Sequence, residues 1–265
     1  MAEQIRIVEV NGAKLVYEMA GEGLALVLIH SSFCDQRMWD DQFSAFAKGC
    51  KVIRYDLRGF GKSDLPETPF AFTDDLCELL RALKIERACV LGLSLGAYIA
   101  IDFAIAHPEM TAGLIVAAAA PGGYKISEAL RQRMGAIFAA GYEDADRGIQ
   151  LLLDDPEVAF DRQTPATRER LMRMFMDNRR VFHSDLALMR VAQPPAVKRL
   201  DEITAPTLII AGEWDEADLL EAADFMQSRI AGATKIIIQG AGHLSNLEKP
   251  AEFNRAVIDF LNSIS

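Results

Sequence analysis

Scarcities in this sequence narrow its chemistry before any motif is considered. Its four cysteines, Cys34, Cys50, Cys77 and Cys89, form no Cys-x-x-Cys pair, which points away from zinc and dithiol chemistry and suits a reducing compartment. Basic residues fall short of acidic ones, 28 against 38, for a formal charge of -10. Nucleic acid and anionic membrane surfaces would be repelled. The most apolar run, Gly113 to Ala120, is too short to span a bilayer, and Met1 to Val10 mixes charges with apolar residues instead of presenting a leader. A cytoplasmic protein is the expectation. Histidine occurs at four positions only, His30, His107, His183 and His243, so any chemistry that needs an imidazole has few places to find one.

Against these shortages stands a hydrophobic content of 51% in 265 residues, enough to bury a large core in one α/β domain carrying an insertion. The chain is organised around Gly92-Leu93-Ser94-Leu95-Gly96, between the apolar run Ala88 to Leu91 and the helix-like run Ala97 to Ala106. A serine flanked by glycines at two-residue spacing, with a strand before it and a helix after it, has the form of a nucleophile elbow. The turn strains the serine backbone, and side chains two residues to either side would collide with the neighbouring strand and helix. The following helix N-terminus would favour an anion forming beside Ser94.

Eight strands are expected. Ile5 to Val10 and Leu15 to Met19 flank Asn11-Gly12, a hairpin signal. Ala25 to Ile29, Lys51 to Tyr55, Ala88 to Leu91, Leu114 to Ala118, Thr207 to Ala211 and Lys235 to Ile238 then alternate with helical patterns at Met38 to Phe46, Phe72 to Leu83, Ala97 to Ala106 and Pro250 to Ile264. Such alternation predicts a mostly parallel eight-stranded sheet with helices on both faces. From Gly122 to Leu200 the strand pattern stops. Ser127 and Thr164-Pro165 read as helix starts there, with Leu130, Met134, Ile137 and Phe138 on one face and Gly141 at the end of that helix. The division is a core of residues 1–121 and 201–265 and a helical cap of residues 122–200. In Asp56-Leu57-Arg58-Gly59-Phe60-Gly61-Lys62-Ser63 the glycine spacing is wrong for a Walker phosphate loop; Asp56 and Arg58 are expected to pair and shape the turn.

A serine hydroxyl needs a base within reach. His107 lies thirteen residues past Ser94, about 15 Å or more along the helix, and His183 falls in the insertion. His243 sits in a glycine-flanked loop after the last strand, at the correct edge of the sheet. Asp215, just past the strand Thr207 to Ala211, is the best-placed carboxylate to orient it, with Glu213, Glu216 and Asp218 in the same loop. The order Ser94, Asp215, His243 is that of the α/β-hydrolase arrangement. Leu95 would supply one backbone N–H to an oxyanion and the loop around Ser32 the other.

From end to end the chain resembles α/β-hydrolase fold proteins of the serine branch. His30 to Asp40 and Tyr55 to Asp64 are similar to 3-oxoadipate enol-lactonases and related small esterases, with His30-Ser31 in place of the usual His-Gly and Ser94-Leu95-Gly96-Ala97 in place of Ser-Met-Gly-Gly. The resemblance implies Ser94, Asp215 and His243 as the triad, Ser32 and Leu95 as oxyanion donors, no cofactor and no metal. Its substrate would be a small ester or lactone; cleavage of a carbon–carbon bond by the same triad, or a ligand receptor with vestigial turnover, are the alternatives. Between Phe160 and Leu200 nine basic residues face four acids. That balance would draw an anionic substrate, or it marks a solvated helix face.

Overall fold

The computed structural model describes residues 5–155 and 164–264. The sheet is built from β1 (Arg6–Val10), β2 (Ala13–Ala20), β3 (Ala25–Ile29), β4 (Lys51–Tyr55), β5 (Ala88–Leu93), β6 (Thr111–Ala117), β7 (Thr207–Gly212) and β8 (Thr234–Ile238), in the order β1-β2-β4-β3-β5-β6-β7-β8. The pairings β1 to β2 and β2 to β4 are antiparallel and the rest parallel. The hairpin turns where Asn11 and Gly12 both take positive φ, 47° and 72°, the backbone a tight right-twisted hairpin demands. Central strands are apolar on both faces because helices cover both sides: Leu26, Val27, Leu28 and Ile29 are fully buried.

Helices α1 (Asp40–Phe46), α2 (Phe72–Ala82) and α3 (Leu95–Ala106) alternate with the first strands, and α4 (Glu128–Glu143), α5 (Ala145–Leu153) and α6 (Pro165–Asp177) follow between β6 and β7, in the stretch expected to be the cap. Helix α7 (Ala217–Arg229) follows β7, and the short α8 (Ser245–Glu248) and α9 (Pro250–Ile264) follow β8. The Ser127 hydroxyl accepts the Leu130 N–H and that of Thr164 accepts the Thr167 N–H, so both expected cap starts are real N-caps. The expected helix from Met38 starts earlier, as a 3-10 turn over Gln36–Trp39 capped by Asp35, before α1 begins.

Two sequence expectations need correction. Gly141 lies inside α4, not at its end; a Cβ there would lie 2.3 Å from the Phe182 ring, and one on Gly148 would lie 2.4 Å from the Gly141 Cα. These glycines let α4 and α5 approach backbone to backbone, which glycine near a helix end mimics in sequence. Asp56 and Arg58 do not pair with each other. Arg58 grips Asp75 of α2 with Nε at 2.8 Å and Nη2 at 2.7 Å, whereas Asp56 accepts the N–H groups of Gln36 (2.9 Å) and Lys62 (2.8 Å). Each side chain has its own partners, so sequence proximity does not become contact. Asp56 thereby ties the segment after β3 to the segment after β4, and burial pushes its carboxyl up to about 6 against those two hydrogen bonds.

Candidate active site

Ser94 sits at φ 55°, ψ -115° between β5 and α3, in the left-handed region that costs a residue with a Cβ on the order of 1–3 kcal/mol. Its N–H is anchored on the Ala117 carbonyl of β6 at 2.9 Å. The flanking glycines are sterically required. A Cβ on Gly92 would lie 2.1 Å from the Gly96 carbonyl oxygen, and one on Gly96 would lie 2.1 Å from the Ile29 carbonyl oxygen. The elbow is therefore wedged against the end of β3, where the loop with Ser31 and Ser32 begins.

That loop is held by His30. Its Nε2 accepts the Leu57 N–H at 3.0 Å, so Nδ1 carries the proton and donates it to the Ser31 carbonyl at 2.8 Å. Burial lowers the His30 pKa to about 4, and the ring remains neutral at ordinary pH. The Ser31 N–H points at the Met38 sulfur, 3.4 Å away. Neither Ser32 nor Leu95 has its N–H committed to another acceptor among the described residues. Phe33, next in the loop, takes φ 58° and packs its ring 4.9 Å from Phe182 and 5.6 Å from Phe138, centroid to centroid. Nothing in the sequence around Phe33 signals that backbone.

Past β7, three acids of the loop and one in the first turn of α7 have four different partners. Asp215 Oδ1 receives His243 Nδ1 at 2.9 Å, while Glu213 takes the Gly240 N–H, Asp218 holds Ser127, and Glu216 pairs with Arg133 of α4. Gly212 makes the Asp215–His243 contact possible, because a Cβ there would lie 2.2 Å from the Gly242 carbonyl oxygen. Burial opposes a charge on His243, but the attraction of Asp215, then Glu248 and Glu216, outweighs it and lifts its pKa above the ordinary imidazole value. His107 ends α3, and His183 is exposed at the end of the 3-10 turn Arg179–His183. Neither lines the cavity.

Ser94, His243, Ser31 and Ser32 share a cavity of about 280 Å³. Its walls are apolar: Leu130, Met134 and Phe138 from α4, with Leu152, Phe175, Leu219 and Leu244. Glu216 is the one carboxylate among the described residues of the lining, and no described lysine or arginine joins it. Several basic residues described between 164 and 200 face elsewhere. Arg170 pairs with Asp41, Arg190 with Asp74 and Arg199 with Glu202, while Arg180 donates to the Phe60, Gly61 and Ser63 carbonyls. Of the two readings of that positive balance, the pull on an anionic substrate has no counterpart among the described lining residues; Arg170, Arg180 and Arg190 instead join their segment to α1, the loop after β4 and α2. Asp161 and Arg162, part of that charge balance, lie outside the described residues.

The sequence profile of the alpha/beta hydrolase family matches residues 26–256. The chain belongs to that family. The hydrolase is 29% identical over 244 residues to the 3-oxoadipate enol-lactonase 1 of Acinetobacter baylyi, covering 91% of this chain and 89% of that one. It is 30% identical over 266 residues to the 2-hydroxy-6-oxo-6-phenylhexa-2,4-dienoate hydrolase of Comamonas testosteroni, covering 92% and 90%. Among solved structures, the N-acyl homoserine lactone degrading enzyme Est816 superposes with a TM-score of 0.81 at 29% identity, covering 96% of this chain and all of that one (100%). The hydrolase has no described helix long and apolar enough to cross a membrane.

Proposed function

We propose that this hydrolase cleaves a small, uncharged carboxylic ester or lactone through an acyl-enzyme on Ser94. The observation that carries the reading is the single cavity in which the strained Ser94, the His243 held by Asp215 and the Ser32 loop meet an apolar wall. Ser94 Oγ attacks the carbonyl carbon as His243 Nε2 takes its proton, and Asp215 keeps Nδ1–H directed at Oδ1 and steadies the imidazolium. The oxyanion is received by the N–H groups of Leu95 and Ser32, each such donor being worth about 10²–10³ in turnover. The tetrahedral intermediate collapses as His243 returns the proton to the leaving oxygen, which gives the acyl-enzyme and an alcohol. Water then attacks the acyl carbon with His243 again as base, and the second intermediate collapses with cleavage of the acyl bond to Ser94 Oγ, which takes the proton back from His243 as the acid leaves.

The uncharged acyl group follows from the wall. A carboxylate placed among Leu130, Met134, Phe138 and Phe175 would be desolvated with no lysine or arginine among the described lining residues, and Arg133, next to Met134, is already paired with Glu216. The name of the Est816 neighbour, an N-acyl homoserine lactone degrading enzyme, fits an apolar acyl chain in such a cavity. A second reading, carbon–carbon bond hydrolysis, is favoured by the identity to the Comamonas testosteroni enzyme.

The test is steady-state hydrolysis of p-nitrophenyl esters and acyl lactones of increasing chain length, wild type beside Ser94→Ala. Multiple turnover that drops by several orders of magnitude in the variant supports the reading. Equal slow rates would sink it, and a ring-cleavage dienoate consumed faster than any ester or lactone would hand the site to the second reading.

A further inference from the structure

Glu216 belongs to the triad loop and to the cap interface at once. Its N–H donates to Asp215 Oδ1 at 2.9 Å, the same oxygen that receives His243 Nδ1. The residue lines the cavity and its carboxylate holds Arg133 of α4, whose Nε lies 2.9 Å from Asp155 just after α5. Arg133 sits between Leu130 and Met134, two residues of the cavity wall. Two residues past Glu216, Asp218 takes both the N–H (2.6 Å) and the hydroxyl (2.7 Å) of Ser127, the N-cap of α4. The helix that supplies one side of the cavity is therefore fastened at two points, Glu216 in the loop that carries Asp215 and Asp218 in the first turn of α7 directly after it.

We propose that the Arg133–Glu216 pair is a latch joining the acyl wall to the triad, with Glu216 as a positioning residue that seats α4 and balances the charge next to His243. The geometry supports both halves. The Glu216 side chain is only 11% exposed, so its charge is far less screened than that of a surface pair. Three carboxylates act on His243: Asp215 in contact, Glu216 from the same loop, and Glu248 of α8, which itself receives the Gly242 and Leu244 N–H groups. Ser31, Ser32 and Ser94 bring no charge. Of the three carboxylates, Glu216 is the one that reaches the cap, and Arg133 offsets its field.

This inference rests on the esterase reading only for its kinetic half. Its direct test is an NMR titration of the His243 imidazole, one of four in the chain, in wild type, Glu216→Gln and Arg133→Met. Removing the Glu216 charge should lower the His243 pKa, and removing Arg133 should raise it, each by about half a unit, the size of one charge acting across a partly solvated gap. Shifts of opposite sign are the signature, since a general loosening of the fold would move both the same way. Arg133→Lys keeps the charge and should titrate like wild type. In the ester series both neutralising variants should raise KM for the longest accepted chain several-fold more than for acetate. Same-sign or absent shifts in correctly melting variants would overturn the latch, whether or not esters are turned over. Failure of Ser94→Ala to lower the rate would instead overturn the esterase reading and leave the titration result standing.

Discussion

Replacing Gly96 with alanine tests whether the elbow is placed by its fit against β3. The added methyl would lie 2.1 Å from the Ile29 carbonyl oxygen, 2.6 Å from its carbon and 2.8 Å from the His30 carbonyl oxygen. All three are backbone atoms, so no side chain can swing aside. Restoring an ordinary carbon-to-oxygen contact of ~3.3 Å requires β3 and the start of α3 to part by about 1.2 Å. That movement separates Leu95, at the head of α3, from the Ser32 loop, so an oxyanion could no longer reach both N–H groups. A misplacement of ~1 Å costs about 10²-fold, and a lost donor about 10²–10³-fold. We expect kcat on p-nitrophenyl butyrate to fall by about 10²–10³ with KM changed only a few-fold, because the apolar wall is untouched. Thermal unfolding belongs beside the kinetics, since overpacking of this kind costs about 1–3 kcal/mol. A variant that keeps kcat within threefold of wild type would refute the reasoning, because the spacing of β3 and α3 could not then be what builds the oxyanion site.

Other consequences can be checked separately. Asp215→Asn should retain the fold and lower kcat by about 10⁴, since the amide favours the wrong His243 tautomer; near-wild-type kinetics would show that another acid orients the ring. His30 stays neutral in the fold until about pH 4 but titrates near 6.5 when unfolded. Its contribution to stability is full above pH 6.5 and declines as pH falls to 4, a loss of about 3 kcal/mol. Asp56, pushed up to about 6, has the opposite trend, gaining stability as pH falls from 6 toward its unfolded value. The His30 effect is therefore read as the difference between wild type and His30→Gln in urea unfolding at pH 6.5 and 4; parallel curves would contradict it. Because His243 must be neutral to act as base, kcat/KM should rise with pH through a midpoint above 6.5, and a flat profile from pH 5 to 8 would remove His243 from that role. Phe138→Ala should widen the wall beside Phe33 and move the best acyl length upward, which the ester series reads directly.

Much of the fold was legible because buried parallel strands write themselves as unbroken apolar runs. Ala25–Ile29 and Lys51–Tyr55 match to the residue. Helix α7 went unread, since its Ala217–Arg229 segment spreads charge around the helix and buries only Ala222, Ala223 and Met226. The elbow was visible because sterics leave hydrogen as the only side chain at Gly92 and Gly96. Choosing Asp215 over Glu213, Glu216 and Asp218 depends on which carboxylate meets His243, and chain order ranks the candidates without deciding among them. The cap arginines left two readings open for a related reason: composition counts charges but does not say which way they point, and Arg170 and Arg180 point at the core.

On the proposed reading, the reacting groups and the walls that select a substrate come from different stretches of chain. Ser94, Asp215 and His243 hang from the ends of β5, β7 and β8, whereas Leu130, Met134, Phe138 and Phe175 come from α4 and α6. A mutation in the wall can change what fits while leaving the strand ends in register. Selection can thus rewrite the cap while the chemical frame is inherited intact. Such modular descent offers a physical route by which a lactonase and a dienoate hydrolase can share this architecture at similar distance from one sequence.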